Sequence, residues 1–103
     1  MALVRACRVD EIGPGEAHKI EIDPPVTVFR TDDGDLYALD DTCTHAVASL
    51  AEGFIEDDTV ECPVHMAKFC LKTGKPTCPP ATKPVATHPV VVEGDEIFVD
   101  VTR

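Results

Sequence analysis

The sequence is short of basic residues and of long apolar runs. Nine lysines and arginines stand against 19 acidic residues, which gives a formal net charge of −10. Nucleic acids and anionic membranes select basic patches, so neither is expected as a partner. No apolar run is long enough for a signal-peptide core or a membrane span. We therefore expect a soluble cytoplasmic protein, and the acidic charge favours basic protein partners.

Two catalytic motifs are also missing. There is no Gly-x-Gly-x-x-Gly, so binding of a pyridine nucleotide is not expected. A mononuclear iron site would need two histidines and a carboxylate, and only His18 and His88 lie outside the motif described below. His18 lies in an alternating segment and His88 precedes Pro89, so both are predicted to be ordinary surface histidines. The chain is therefore predicted not to be an enzyme by itself.

The local patterns predict an all-β fold in a single domain. A chain of 103 residues fits one domain, and nine prolines with six glycines leave little room for long helices. Turn residues at 32–35 and 93–95 each separate two β-like runs and predict hairpins. The only helix-like run is 46–52, ended by Gly53. Strands are predicted at 17–22, 26–29, 36–39, 59–61, 68–71, 90–92 and 97–99.

Two short Cys-His pairs carry the strongest functional signal. They are Cys43-Thr-His45 and Cys62-Pro-Val-His65, with sixteen residues between His45 and Cys62. Each places one thiolate and one imidazole on a tight loop. Two thiolates and two imidazoles suit a [2Fe–2S] cluster in which histidines replace cysteines on one iron. Cys43 and Cys62 are then expected to bind the inner iron, and His45 and His65 the outer one.

Zinc is the alternative metal for these four residues. Zinc modules usually combine Cys-x₂₋₄-Cys with His-x₃₋₅-His, and mixed Cys-His pairs are unusual there. A disulfide between Cys43 and Cys62 would leave both histidines unexplained. Three further cysteines, Cys7, Cys70 and Cys78, form an odd number, which is not typical of a disulfide framework.

The segments around the pairs resemble the Rieske family. After the first pair comes Leu50-Ala-Glu-Gly53, similar to the Leu-x-Glu-Gly stretch of Rieske ferredoxins. After the second come Lys68-Phe-Cys70 and Thr73-Gly74, and Pro79-Pro80-Ala81 resembles the proline loop that covers the cluster. The resemblance is strongest to the small ferredoxins of multicomponent aromatic-ring dioxygenases. It implies an antiparallel Rieske-type β-sandwich over residues 1–103, with a cluster-binding subdomain at about 41–81.

The resemblance also implies a role. The protein is expected to carry one electron at a time from a flavin-containing, NAD(P)H-dependent ferredoxin reductase to the terminal oxygenase of an aromatic-ring dioxygenase. His45 and His65 would form the electron exit. A small apolar rim for docking is expected around them, and its members are Ala46, Val47, Met66, Pro79 and Pro80. Small size and high charge favour a monomer.

The neighbours of the ligands predict a low redox potential. High-potential Rieske proteins have a disulfide between the cluster loops, and the corresponding positions here are Ala48 and Val64. They also have Ser and Tyr hydroxyls that donate to sulfur, where this chain has Ala67 and Phe69. Because fewer donors stabilise the reduced state less, a low-potential centre is expected. The alternatives are a Rieske electron-transfer subunit of another oxidoreductase complex and a non-redox metal-binding interaction module.

Overall fold

Strands make up nearly all of the regular structure. The computed structural model describes residues 2–43, 48–64, 67–78 and 83–101, and within them there are eleven strands and two 3-10 turns, at Val9–Glu11 and Leu50–Glu52. The predicted all-β class is confirmed. The strands are β1 Ala2–Arg8, β2 Ala17–Ile20, β3 Val26–Arg30, β4 Leu36–Asp40, β5 Phe54–Glu56, β6 Thr59–Glu61, β7 Lys68–Cys70, β8 Pro76–Cys78, β9 Thr87–His88, β10 Val90–Glu93 and β11 Glu96–Val101.

The strands form three antiparallel sheets. The first sheet has the order β1-β11-β10, and the middle sheet has the order β2-β3-β4-β9. The third, which we call the loop sheet because one of the Cys-His pairs follows directly from it, has the order β5-β6-β7-β8. Over the part of the chain that the structure describes, no helix has the length and apolar character to cross a membrane.

Both hairpins predicted from turn residues are present. Strands β3 and β4 pair on either side of the turn at 32–35. Strands β10 and β11 pair with Glu93 opposite Glu96, so Gly94 and Asp95 alone form the second turn. Gly94 has φ of 61°, in the left-handed region that two-residue hairpin turns require and that glycine adopts without strain. Local turn chemistry therefore sets the register of this second hairpin.

The middle sheet separates two hydrophobic cores. Strand β3 is buried on both faces, with Val26 and Val28 on one side and Thr27 and Phe29 on the other. The core between the first and middle sheets consists of Cys7, Ile12, Ile20, Val26, Val28, Ala38, Ile97 and Val99. The core between the middle and loop sheets consists of Phe29, Leu39, Cys43, Leu50, Val60, Cys62, Ala67, Phe69, Leu71 and Val85. Both candidate ligand cysteines lie in this second core.

The predicted helix-like run over 46–52 is only partly present. Residues 46 and 47 lie outside the described residues. Ser49 has extended backbone angles and forms an isolated bridge to Thr42, so the helical turn begins only at Leu50. It ends where predicted, with the Gly53 N–H donating to the Leu50 carbonyl at 3.0 Å. Pairing between residues 42 and 49 thus overrides the local helical preference of the alanines.

Gly53 is required by close packing. Its φ of −85° is open to any residue. A Cβ at this position would nevertheless meet the backbone carbonyl oxygen of Glu61 at a separation that no real side chain shows. The glycine therefore lets β5 leave the 3-10 turn directly against β6, the strand that leads to Cys62.

We predict that Gly53→Ala will destabilise the protein by about 2–3 kcal/mol, because a backbone atom cannot move aside without shifting β5 from β6. Urea unfolding followed by far-UV circular dichroism measures this. Gly13→Ala is the matched control, since its Cβ would meet only the flexible Glu16 side chain, at 3.1 Å. Equal stability of the two variants would contradict the packing explanation.

Candidate metal centre

Two loops bring the candidate cysteines to the base of one site. The first loop follows β4, and the Cys43 N–H donates to the Ala48 carbonyl at 3.0 Å. The second follows β6, and the Cys62 N–H donates to the Ala67 carbonyl at 2.6 Å. Each bond joins a cysteine to the residue five positions later. The two loops are therefore closed in the same way although their Cys-His spacings differ.

The two thiols face each other inside the core. Cys43 is 4% exposed and Cys62 is fully buried. Their side chains are within hydrogen-bonding reach of each other, and neither is part of a disulfide. The fold thus brings together two cysteines that lie nineteen positions apart in the sequence. A pair of adjacent, reduced and water-excluded sulfurs is what a bound soft metal ion requires as its inner donors.

The surroundings of Cys62 act on the pKa of its thiol in opposite directions. Burial, the largest cause, raises the pKa of the Cys62 thiol to about 11. The backbone N–H of Val64 donates to the sulfur and lowers the pKa, and the Cys43 thiol raises it. Without a cation the thiol stays protonated at neutral pH. The chemistry of this donor set therefore fits a metal-bound thiolate, because a cation supplies the missing positive charge.

Only part of the predicted ligand set can be placed. His45 and His65 lie outside the described residues, as do the expected rim members Ala46, Val47, Met66, Pro79 and Pro80. Within the described ranges, no three His, Cys, Asp or Glu side chains form a metal-binding group. The structure thus brings Cys43 and Cys62 together, and the role of the two histidines stays a prediction.

A buried carboxylate, which the sequence did not reveal, supports the first loop. Asp41 is 2% exposed, and its Oδ1 accepts hydrogen bonds from Thr27 Oγ1 at 2.6 Å, from Ser49 Oγ at 2.9 Å and from the Ala51 N–H at 3.0 Å. Its backbone carbonyl accepts the Leu50 N–H at 2.8 Å. Through these hydrogen bonds Asp41 therefore holds both ends of the first loop against strand β3.

The second loop is supported by apolar packing instead. Ala67 and Phe69, at the positions where hydroxyl donors were sought, are both fully buried. Ala48 and Val64, at the positions of a bridging disulfide, pack against the same core. No hydroxyl group comes from these four positions. The backbone N–H of Val64 donates a hydrogen bond to the Cys62 sulfur.

The remaining histidines do not form a second metal site. The prediction that His88 lies at the surface is wrong: its side chain is fully buried, and its Nε2 lies 2.8 Å from Asp40 Oδ1. His18 is half-buried. Register places His18 and His88 in one row across the middle sheet, three strands apart. At about 4.8 Å per strand the backbones are roughly 14 Å apart, too far to share one metal ion.

Comparison with known proteins supports a [2Fe–2S] cluster as the bound group. A family model of the Rieske [2Fe–2S] domain matches residues 2–89. The ferredoxin subunit of 3-phenylpropionate/cinnamic acid dioxygenase from Escherichia coli strain K12 is 50% identical over 101 residues. That alignment covers 97% of this chain and 94% of the relative. The similarity therefore extends over both hydrophobic cores and both loops.

Solved structures show the same fold. The ferredoxin of carbazole 1,9a-dioxygenase from Nocardioides aromaticivorans IC177 superposes with a TM-score of 0.90 at 35% identity, covering 99% of this chain and all of that one. A complex of reduced oxygenase and oxidized ferredoxin in carbazole 1,9a-dioxygenase also contains a similar chain, with a TM-score of 0.90 at 35% identity. It covers 95% of this chain and 92% of that one.

Proposed function

This chain belongs to the Rieske [2Fe–2S] domain family, and on that basis we propose that it carries electrons to the terminal oxygenase of an aromatic-ring dioxygenase. The observation that carries the proposal is the buried pair of facing thiols, Cys43 and Cys62, on two identically closed loops. Relatives with ferredoxin names match almost the whole chain. The chain is an electron-transfer component and does not itself perform catalysis.

We propose Cys43, His45, Cys62 and His65 as the four ligands of one [2Fe–2S] cluster. The cysteines would hold the inner iron and the histidines, toward the loop tips, the outer iron. When bound, the cluster supplies reversible one-electron chemistry. The chain supplies a water-excluded base and a Val64 N–H aimed at one sulfur. Residues of about 41–81 would form the cluster-binding subdomain of a single domain.

The electron donor is proposed to be a flavin-containing ferredoxin reductase that oxidises NADH or NADPH. The acidic net charge favours a basic surface on each partner. Both partners would approach the loop tips, where Ala46, Val47, Met66, Pro79 and Pro80 are proposed to form an apolar rim around the histidines. A monomeric, cytoplasmic carrier fits this role, since it must reach two partners in turn.

Electron paramagnetic resonance tests the cluster directly. The dithionite-reduced protein is expected to give the low average g value of a cluster with mixed nitrogen and sulfur ligation. Iron and sulfide analysis should give two of each per chain. A signal typical of all-cysteine ligation would contradict the ligand set. A zinc-loaded, silent protein would instead identify a non-redox binding module.

We predict a low midpoint potential, below 0 mV and toward the low end of the range of about −150 to +300 mV for such centres. The physical reason is the apolar environment of the second loop, where Ala67 and Phe69 offer no hydroxyl donors. An equilibrium redox titration monitored by visible circular dichroism measures the potential. Phe69→Tyr should raise it, because a hydroxyl near sulfur stabilises the reduced state. A wild-type value well above zero would contradict this prediction.

A further inference from the structure

An aromatic side chain is exposed at the edge of the loop sheet. Phe54 is 68% exposed, more than any other large hydrophobic side chain in the described residues; the next is Leu3 at 53%. It lies at the start of β5, the edge strand of the sheet. Its neighbour Ile55 packs inward against the core, so strand alternation directs Phe54 outward. The exposure is thus fixed by the strand.

Register places Phe54 beside the second ligand loop. Phe54 pairs with Glu61, and Glu61 pairs with Lys68, so the three form one row across the sheet. Glu61 directly precedes Cys62, and Lys68 directly follows Ala67, which closes the loop. This is the row of the loop sheet that adjoins the loop from Cys62 to Ala67. With strands about 4.8 Å apart, Phe54 lies within roughly 10 Å of the Cys62 backbone.

Acidic residues lie close to Phe54 in register and in sequence. Glu56 lies on the same outward face of β5, Glu61 lies in the same row, and the exposed Glu52 immediately precedes Gly53. One lysine, Lys68, approaches Glu56 and Glu61 at 3.9 Å each. Three negative charges against one positive charge leave this surface acidic. We call the surface formed by Phe54, Glu52, Glu56, Glu61 and Lys68 the Phe54 face.

We propose that the Phe54 face is a docking surface for the terminal oxygenase, with Phe54 inserted into an apolar pocket that basic residues surround. The inference rests on the proposed function. An exposed aromatic side chain with a polar border is typical of the few residues that carry most of the binding energy at interfaces. The carboxylate border matches a basic partner and would orient it. Binding here would hold the partner beside the second ligand loop.

The test is electron transfer from the reduced, cluster-loaded protein to the oxygenase component of the Escherichia coli strain K12 3-phenylpropionate/cinnamic acid dioxygenase, measured by stopped flow. Phe54→Ser should raise the oxygenase concentration for half-maximal rate by about tenfold or more. Its cluster spectrum and midpoint potential should not change. Leu3→Ser, which removes an exposed hydrophobic residue from the first sheet, is the matched control and should behave as wild type.

A charge variant tests the same face independently. Glu56→Lys should weaken transfer to the oxygenase and make it less sensitive to salt, because it removes attraction to a basic surface. Glu93→Lys makes the same charge change on the first sheet and should have a much smaller effect. These variants keep the proposal testable if Phe54→Ser folds poorly.

The outcomes separate this inference from the proposed function. If the wild-type protein carries the cluster but transfers no electrons to the oxygenase, both fail. If wild type transfers electrons and Phe54→Ser and Glu56→Lys match it, only the docking inference fails. If the variants slowed only the reduction of this protein by the flavin reductase, the docking inference would also be overturned. A dimer, detected by sedimentation, that Phe54→Ser dissociates without changing transfer would overturn it as well.

Discussion

Cys62→Ala is expected to remove the cluster entirely, together with its visible absorbance, its paramagnetic signal and electron transfer to the oxygenase. Cys62 is fully buried, faces Cys43 and stands at the base of the second loop, so no other described side chain can take its place. Alanine offers no donor atom to iron. Because metal binding joins two loops, the variant should also unfold at lower urea concentration than the loaded wild type.

Cys7→Ala is the matched control for this experiment. Cys7 is 2% exposed, so the substitution also deletes a buried thiol, but from the core between the first and middle sheets. It should cost about 1 kcal/mol of stability and leave iron content and spectrum unchanged. Iron and sulfide analysis of both variants measures the difference. Wild-type iron content in Cys62→Ala would refute the proposed ligand set.

Asp41→Ala is expected to lower the free energy of unfolding by about 3–5 kcal/mol and to speed loss of the cluster. The substitution leaves the Thr27 and Ser49 hydroxyls and the Ala51 N–H without their acceptor, and an unpaired buried donor costs about 1–3 kcal/mol. The half-exposed Ser49 can turn to water, which limits the total. Urea unfolding and the decay of visible absorbance at constant temperature measure both effects.

Asp41→Asn separates hydrogen bonding from charge. The amide keeps an oxygen for the three donors but places an N–H₂ group toward Lys19, whose Nζ lies 3.6 Å from Asp41 Oδ2. We expect a cost of about 1–2 kcal/mol. Asp33→Ala, at an exposed turn position, should cost less than about 1 kcal/mol. If Asp41→Ala were as stable as Asp33→Ala and held its cluster as long, the supporting role of Asp41 would be refuted.

Features set by neighbouring residues could be predicted from the sequence. The hairpin turns depend on residues such as Gly94, whose conformational freedom is visible in the chain itself. Strand β1 was not predicted, because it has no clear alternation and forms by pairing with β11 at the other end of the chain, as in Leu3 opposite Asp100. Long-range pairing of this kind produces no recognisable pattern within a short stretch of sequence.

The same limit applies to the buried polar groups. Asp41 was not identified as a supporting residue because its partners Thr27 and Ser49 lie fourteen and eight positions away. His88 was predicted at the surface, yet its partner Asp40 is 48 positions away. In contrast, Cys43 and Cys62 were found because metal chemistry restricts the residue types and their spacing. Their histidine partners, His45 and His65, stay a prediction.

Strand β3 lies between the two hydrophobic cores, and its odd-numbered and even-numbered residues face different cores. Thr27 and Phe29 belong to the half that contains the ligand loops, whereas Val26 and Val28 belong to the half that does not. Strand β4 follows the same rule, with Leu39 on the first side and Ala38 on the second. Substitutions one position apart on these strands therefore report on different halves of the molecule. Matched substitutions at Val28 and Phe29 would therefore differ in effect. The Val28 variant should lose stability only, whereas the Phe29 variant should also disturb the redox centre.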